Sequence, residues 1–429
     1  MAMLGCSSDI LNVNDPDIIA PENLSNALGA NAQRNGGIHN FTVVFSGTQD
    51  GIVVASGNMA DEFLTTDTFA DRQRVNERAM DVNLGGAADA LYNNLHRART
   101  ALSRGAKVWA ELKPASKDTL SELYALRGYT ENFFAELYCS GVPFGDEDGA
   151  TVTQGMPQTT TQTLQRAVAS FDTALTNATV ANFRSLAAVG KGRALLNLGQ
   201  FDQAAAAVAT VPTTFRYQTF HSTTTGAQNN GIWSATYNNG VRYTNATSEG
   251  TNGYDYLQTP NDPRIRWTAT NRIGFDGTTQ NMPRQEKYPA QNTPVTLADG
   301  IEARLIELEA RLRKDTQTDR DAVFAGLNTL RATGLTTPIP ALAGSAPTAQ
   351  AAAVDQFFKE RAFWTWMTGH RLGDMRRLVR QYGRAANTVY PIGAVSTRPS
   401  VQYGTDVNFI IPFNETNNPN FKACLDRNP

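Results

Sequence analysis

Residues four apart on a helix share one face, so His370 and Asp374, with Arg371 beside them, have the spacing of an acid–base pair. No Ser or Cys stands at a spacing that would complete a nucleophilic triad with them. These three residues therefore read as structural, with Arg371 and Asp374 in a local ion pair and His370 capping or bridging a helix junction. Glu307 and Glu309 are a second candidate, because paired carboxylates hydrolyse glycosidic bonds. Two positions apart on a helix they point to different sides. One of them is expected instead to neutralise Arg361 or Arg371, since a buried charge needs a partner. The acidic stretch Gly145-Asp146-Glu147-Asp148-Gly149 lacks the alternating ligand spacing of an EF-hand and reads as a solvated turn. His39, His96 and His221 show no metal-ligand spacing. The chemistry legible here is thus not catalytic, and it calls for no metal and no cofactor.

Binding chemistry is better represented. Trp233, Tyr237, Tyr254, Tyr256 and Trp267 lie among Asn, Thr and Gln, in a stretch without helical periodicity. Aromatic faces stack on the C–H faces of sugar rings, and amides bond to their hydroxyls. Any one of these rings could equally belong to a small local core; as a group they are the candidate ligand site. Phe357, Phe358, Phe363, Trp364 and Trp366 sit on a strongly helical pattern and read as packing.

Three cysteines are present. Cys6 follows Met-Ala-Met-Leu-Gly and precedes Ser-Ser-Asp, which resembles the end of a lipoprotein signal followed by a polar tether. The basic and apolar regions of such a signal are absent, so the sequence reads as trimmed, with Cys6 as the lipidated residue of the precursor. Cys139 and Cys424 allow one disulfide or two buried thiols.

The elements that must position these groups are mostly helices. The chain has 429 residues, with 38 Lys plus Arg against 40 Asp plus Glu and no basic block, which argues against a nucleic-acid partner. No apolar run is long enough to span a membrane as a helix. Residues 1–21 read as the lipid-anchor tether, and 22–212 as a helical scaffold. Within it the stretch 38–63 suits strand or helix by residue type, and helix by length. Apolar spacing predicts helices at 84–105, 116–140, 164–178, 185–198 and from Phe201 to about Val211. The last three resemble the paired helices of a tetratricopeptide repeat, with small residues such as Gly192 and Ala194 allowing close approach and Phe201 filling the gap. Residues 213–298 are an irregular insertion, long enough to suggest function. Helices return over 299–383, at 299–315, 318–332 and 346–382, before an irregular tail at 384–429. The fold class is all-α: a tetratricopeptide-like scaffold with a loop-rich insertion.

Several segments together resemble the SusD/RagB-like family. Lys287-Tyr288, then Val295-Thr296-Leu297 and the helix ending Glu309-Ala310, is similar to one signature of that family. Lys359-Glu360-Arg361-Ala362-Phe363 followed by Gly369-His370-Arg371-Leu372-Gly373-Asp374-Met375-Arg376-Arg377 resembles its most specific motif. Asn261-Asp262-Pro263-Arg264-Ile265 looks like its Asp-Pro-Arg turn, and Ile411-Pro412-Phe413-Asn414-Glu415 with Asn418-Pro419-Asn420 looks like its closing elements. Gly128 departs from the pattern, where Ala is common. The resemblance implies a lipid-anchored protein on the exterior of a bacterial outer membrane, binding a glycan or peptide nutrient. It also implies a SusC-like TonB-dependent transporter as partner, no enzymatic activity and no cofactor. The alternative is a cell-surface assembly protein on the same scaffold.

Overall fold

The computed structural model describes residues 26–148, 151–238, 240–257 and 262–429. Cys6 and the tether lie outside the described residues, as does Asn261. The helices, in chain order, are α1 (Ala27–Thr42), α2 (Ile52–Met59), α3 (Ala70–Asn76), α4 (Ala87–Leu112), α5 (Lys117–Leu137), α6 (Thr160–Asn177) and α7 (Ala181–Asn197). They continue with α8 (Phe201–Val208), α9 (Gly231–Thr236), α10 (Gly300–Leu312), α11 (Gln317–Thr333), α12 (Gln350–Trp364), α13 (Arg371–Tyr382) and α14 (Ala386–Val389). Strands are short and pair only as two-stranded antiparallel ladders among the described residues.

The scaffold is a run of antiparallel helices, α4 to α8, packed through alternating large and small residues. A capping box starts α6: the Thr159 hydroxyl accepts from the Gln162 N–H, and the Gln162 side chain accepts from the Thr159 N–H. Phe171 of α6 is wedged between two glycines. A Cβ at Gly128 would stand 2.8 Å from its ring, and one at Gly190 would stand 2.2 Å away. That contact explains the glycine at 128: alanine would clash with a ring fixed by the neighbouring helix. Gly192 lets α8 approach, since a Cβ there would meet Val208 at 2.6 Å. Phe201 is not the filler expected between the repeat helices. It packs near Tyr382, with the Arg313 guanidinium over its ring.

Two stretches read as continuous helix are broken. The 38–63 stretch becomes the end of α1, one π-helical turn (Val43–Gly47), α2, and a strand at Phe63–Thr65. The 346–382 stretch becomes α12 and α13. Between them Met367 and Gly369 take left-handed φ values of 53° and 79°. The Thr365 hydroxyl bonds back to the Arg361 carbonyl, and Thr368 bonds to Thr365, so local side-chain bonds compete with helix continuation. Trp366 therefore lies in the turn, fully buried.

That turn also redistributes the ion pairs. Neither Glu307 nor Glu309 partners Arg361 or Arg371. Arg361 binds Asp374 across α12 and α13 at 2.8 Å, and Arg377 binds the same carboxylate at 2.7 Å. Arg371 opens α13, so its side chain reaches into the insertion and meets Glu249 at 2.5 and 2.7 Å. Arg371 and Asp374 accordingly form no pair with one another. Glu309 is taken by Arg377, nearly two turns further along α13, and by the Tyr382 hydroxyl. Glu307 sits nearer the surface with Arg304. His370 does bridge helices: its Nε2 lies 3.0 Å from Glu302 of α10 and 3.1 Å from Arg193 of α7.

The insertion begins and ends on one ladder, Arg216–Thr219 against Val295–Asp299. It is tied back to the scaffold by a second, Phe63–Thr65 against Tyr243–Asn245. The tail is laced to the scaffold through bridges Tyr138–Phe409 and Ser140–Asp426 and a Cys139–Cys424 disulfide. Asn418 adds a bond to the Gly155 carbonyl at 2.9 Å.

Candidate functional site

The insertion's aromatics divide into two groups. Tyr256 is fully buried, its hydroxyl 2.6 Å from Glu249, and so belongs to the core and not to a ligand surface. Tyr254 lies in the same network, with the Arg371 guanidinium 4.6 Å from its ring centre. A buried arginine paired with a buried carboxylate and stacked on a phenol ring is a structural assembly, here with the Arg371 Nη1 left without a hydrogen-bond partner.

Trp233, Tyr237 and Trp267 form the other group. Asn230 caps α9, its side chain accepting from the N–H groups of Ile232 and Trp233 at 2.8 and 3.0 Å. One turn on, the Tyr237 N–H donates to the Trp233 carbonyl, which puts the two rings on one side of the helix. The Tyr237 hydroxyl lies 2.6 Å from Glu286, and Arg284 stands 4.7 Å over its ring. Arg284 in turn binds Glu286 at 2.8 Å. Burial pushes the Glu286 carboxyl up, but the bonds from Tyr237 and Arg284 outweigh it and hold it low. Burial and the Glu286 charge both push the Tyr237 phenol up, so it remains a neutral donor. Trp267 pairs with Gln285 across a short ladder and is half-buried; its indole Nε1 is buried without a partner.

A loop extends this group along the surface. From Thr270 to Met282 the chain doubles back, closed by the Met282 N–H on the Arg272 carbonyl and the Gly274 N–H on Thr279. Asp276 holds its turn by accepting from Thr278 and Thr279. The loop docks through the Phe275 N–H on Val241 and the Asp276 N–H on Thr66. Phe275 thereby meets Arg242, whose guanidinium stands 3.9 Å from its ring centre and 5.1 Å from that of Phe69. Both rings stay open, Phe69 at 52% and Phe275 at 39% exposure. Asp67 fixes Arg242 at 2.7 Å and also binds Arg72, itself held by Asp50. Burial pushes the Asp67 carboxyl up, yet the two guanidiniums hold it below the usual range.

The result is a strip of aromatic faces interleaved with guanidiniums: Phe69, Arg242 held by Asp67, Phe275, then Arg272, and Arg284, held by Glu286, beside Tyr237. Arg242 Nε and Arg272 Nη1 are buried without hydrogen-bond partners. Phe69 and Phe275 were missed in the sequence. Phe69 lies outside the insertion; the signal available was an apolar residue in Thr66-Asp67-Thr68-Phe69-Ala70-Asp71, where no helical or strand pattern buries it.

Helix pairs carrying a long insertion closed on one ladder define a tetratricopeptide-like scaffold built to present loops. The fold is similar to that of solved SusD superfamily proteins. A SusD superfamily protein from Parabacteroides distasonis superposes with a TM-score of 0.68 at 10% identity, covering 92% of this chain and 98% of the other. A SusD-like carbohydrate binding protein from Bacteroides vulgatus gives 0.62 at 14% identity, over 92% and 97%. A structure described as a laminarin binding SusD-like protein gives 0.63 at 14% identity, over 93% and 99%. No family model matches the sequence, and no curated protein matches it. Among the described residues no helix is long and apolar enough to cross a membrane.

Proposed function

We propose that this chain is a nutrient-binding lipoprotein of the outer-membrane surface that captures a glycan on the Phe69–Arg242–Phe275 strip. The strip is the observation that carries the reading. Open aromatic faces, spaced by guanidiniums that cannot rotate away, suit pyranose rings and their hydroxyls. The cargo would pass to a SusC-like TonB-dependent transporter, with Cys6 as the lipid anchor, as the SusD/RagB resemblance implies. Solved proteins of this fold described as carbohydrate binding and laminarin binding support the choice of a glycan over a peptide. Trp233 and Tyr237 would extend the strip, while half-buried Trp267 would mainly support it. A cell-surface assembly role is the second reading; it calls for a broad apolar face, whereas Phe69 and Phe275 are interleaved with charge. The test is Phe275→Ala combined with Phe69→Ala, read by glycan-array screening and titration calorimetry. Binding should weaken more than tenfold, since a stacking ring at a binding centre contributes about 2 kcal/mol, and the melting temperature should change little. Unchanged glycan binding by this variant would overturn the strip.

A further inference from the structure

A second concavity lies on the scaffold, where the first strand of the insertion runs past α1. It encloses about 680 Å³, within the range of small-molecule sites. One wall is α1 from Arg34 onward, continued by the π-helical turn; the other is the strand Arg216–Thr219 and the loop after it; α5 and the start of α7 close the base.

Its walls are braced. Glu122 of α5 accepts from Arg34 at 2.7 Å and from the Tyr217 hydroxyl at 2.9 Å, joining three elements. On the far side Ser46 contacts Thr219 at 2.8 Å and His221 at 3.0 Å, tying the loop to the π-helical turn. Burial pushes the His221 ring down to about 4, although two backbone contacts oppose it, so the imidazole is neutral at ordinary pH. Arg34 has its charge met by Glu122 while its Nε is buried without a partner. The cleft is thus braced on both sides, and Arg216 on the strand wall adds a cation beyond the Arg34–Glu122 pair.

The surface chemistry is that of aromatic faces among amides. Phe183 is half-buried and Phe220 is 74% exposed, and Asn35, Asn182, Gln218 and Gln228 lie around them. An exposed ring of that size beside a pocket, with nothing packed on it, offers a stacking face to a ligand. Amides donate and accept at once, as sugar hydroxyls do.

We propose that this cleft is a second carbohydrate site, separate from the strip, taking a short stretch of an oligosaccharide. The inference rests on the reading of the chain as a glycan binder for its ligand class, and on the cleft alone for its place. Two sites on one chain would let a long glycan be held at two points, and tethered contacts raise avidity without new affinity at either.

The test is calorimetry with neutral hexasaccharides (laminarihexaose, maltohexaose, cellohexaose, xylohexaose and mannohexaose) on wild type and two variants. One carries Phe69→Ala and Phe275→Ala in the strip. The other carries Asn35→Ala and Phe220→Ala, both at exposed positions, so it should fold as wild type does. The expected result is two binding events in wild type, one of them weakened at least tenfold by each variant. A single event lost in the strip variant and untouched in the cleft variant would overturn the second site and leave the proposed function standing. No binding of any hexasaccharide by wild type would overturn both. A tryptic peptide mixture that saturates the cleft where the sugars do not would overturn the ligand class.

Discussion

Asp61 and Glu62 carry the most distinctive buried chemistry at the scale of single residues. Both are fully buried at the end of α2, with Glu249 close by. Asp61 accepts from Tyr403 at 2.5 Å and from the Gly250 N–H, and Arg78 lies near; Glu62 accepts from the Met367 N–H, with Lys287 and Arg371 near. Burial dominates these contacts and pushes each carboxyl up to about 8. A carboxyl raised on folding contributes stability that is complete below its unfolded value and is lost as pH rises through its folded value. Stability should therefore fall between about pH 4 and pH 8. Urea unfolding at pH 5, 7 and 9 checks this, and the double variant Asp61→Asn with Glu62→Gln should flatten the slope. Arg371→Ala should cost about 3–5 kcal/mol, because it leaves Glu249 buried and unpaired; adding Glu249→Gln should restore part of the loss. That arginine marks how far residue types were legible. Sequence showed that Arg361 and Arg371 needed carboxylates, but not which ones, because the partners depend on where the chain turns between Trp364 and Arg371. Tyr256 was misplaced for the same reason: its neighbours in sequence are polar, while its neighbours in space are Phe363 and Trp366.

Among elements, helices with a clear apolar stripe were legible to within a few residues, as with α5, α10 and α11, while α4 runs seven residues past the end expected at 105. Elements without a stripe were not. α2 is buried all round, so periodicity could not separate it from a strand, and only the turn at Gly47–Gly51 sets its start. The ladders of the insertion are two to five residues long, too short for alternation to register. The strip escaped notice because Phe69 and Phe275 lie more than two hundred residues apart in sequence. At this scale the tail gives a sharp test. Cys424→Ser should lower stability by up to about 5–6 kcal/mol, the chain-entropy value for so long a loop, with residual structure in the unfolded chain reducing it. Mass measurement without reductant checks the bond itself: two alkylatable thiols at Cys139 and Cys424 would reject it.

For the molecule as a whole, the helical fold class was legible, because it depends on composition and periodicity averaged over many residues. The juxtapositions that make a surface were not. The proposed anchoring has its own test at this scale. In the full-length gene, Cys6→Ser should release the protein from membranes, read by fractionation and lipid labelling. Retention in membranes without a lipid label would reject the anchor.

The lacing of the tail has a consequence in time. Tyr403 closes on Asp61, Phe409 on Tyr138, Asn418 on Gly155 and Cys424 on Cys139. Each contact joins the last thirty or so residues to a partner at or before Gly155. A ribosome makes those partners far apart in time, so the early helices must wait with their seam open. Contacts of such large separation are also the slow ones to form. The native state is thus finished by its final segment, and a chain stopped short of it would leave the face around Tyr138 uncovered.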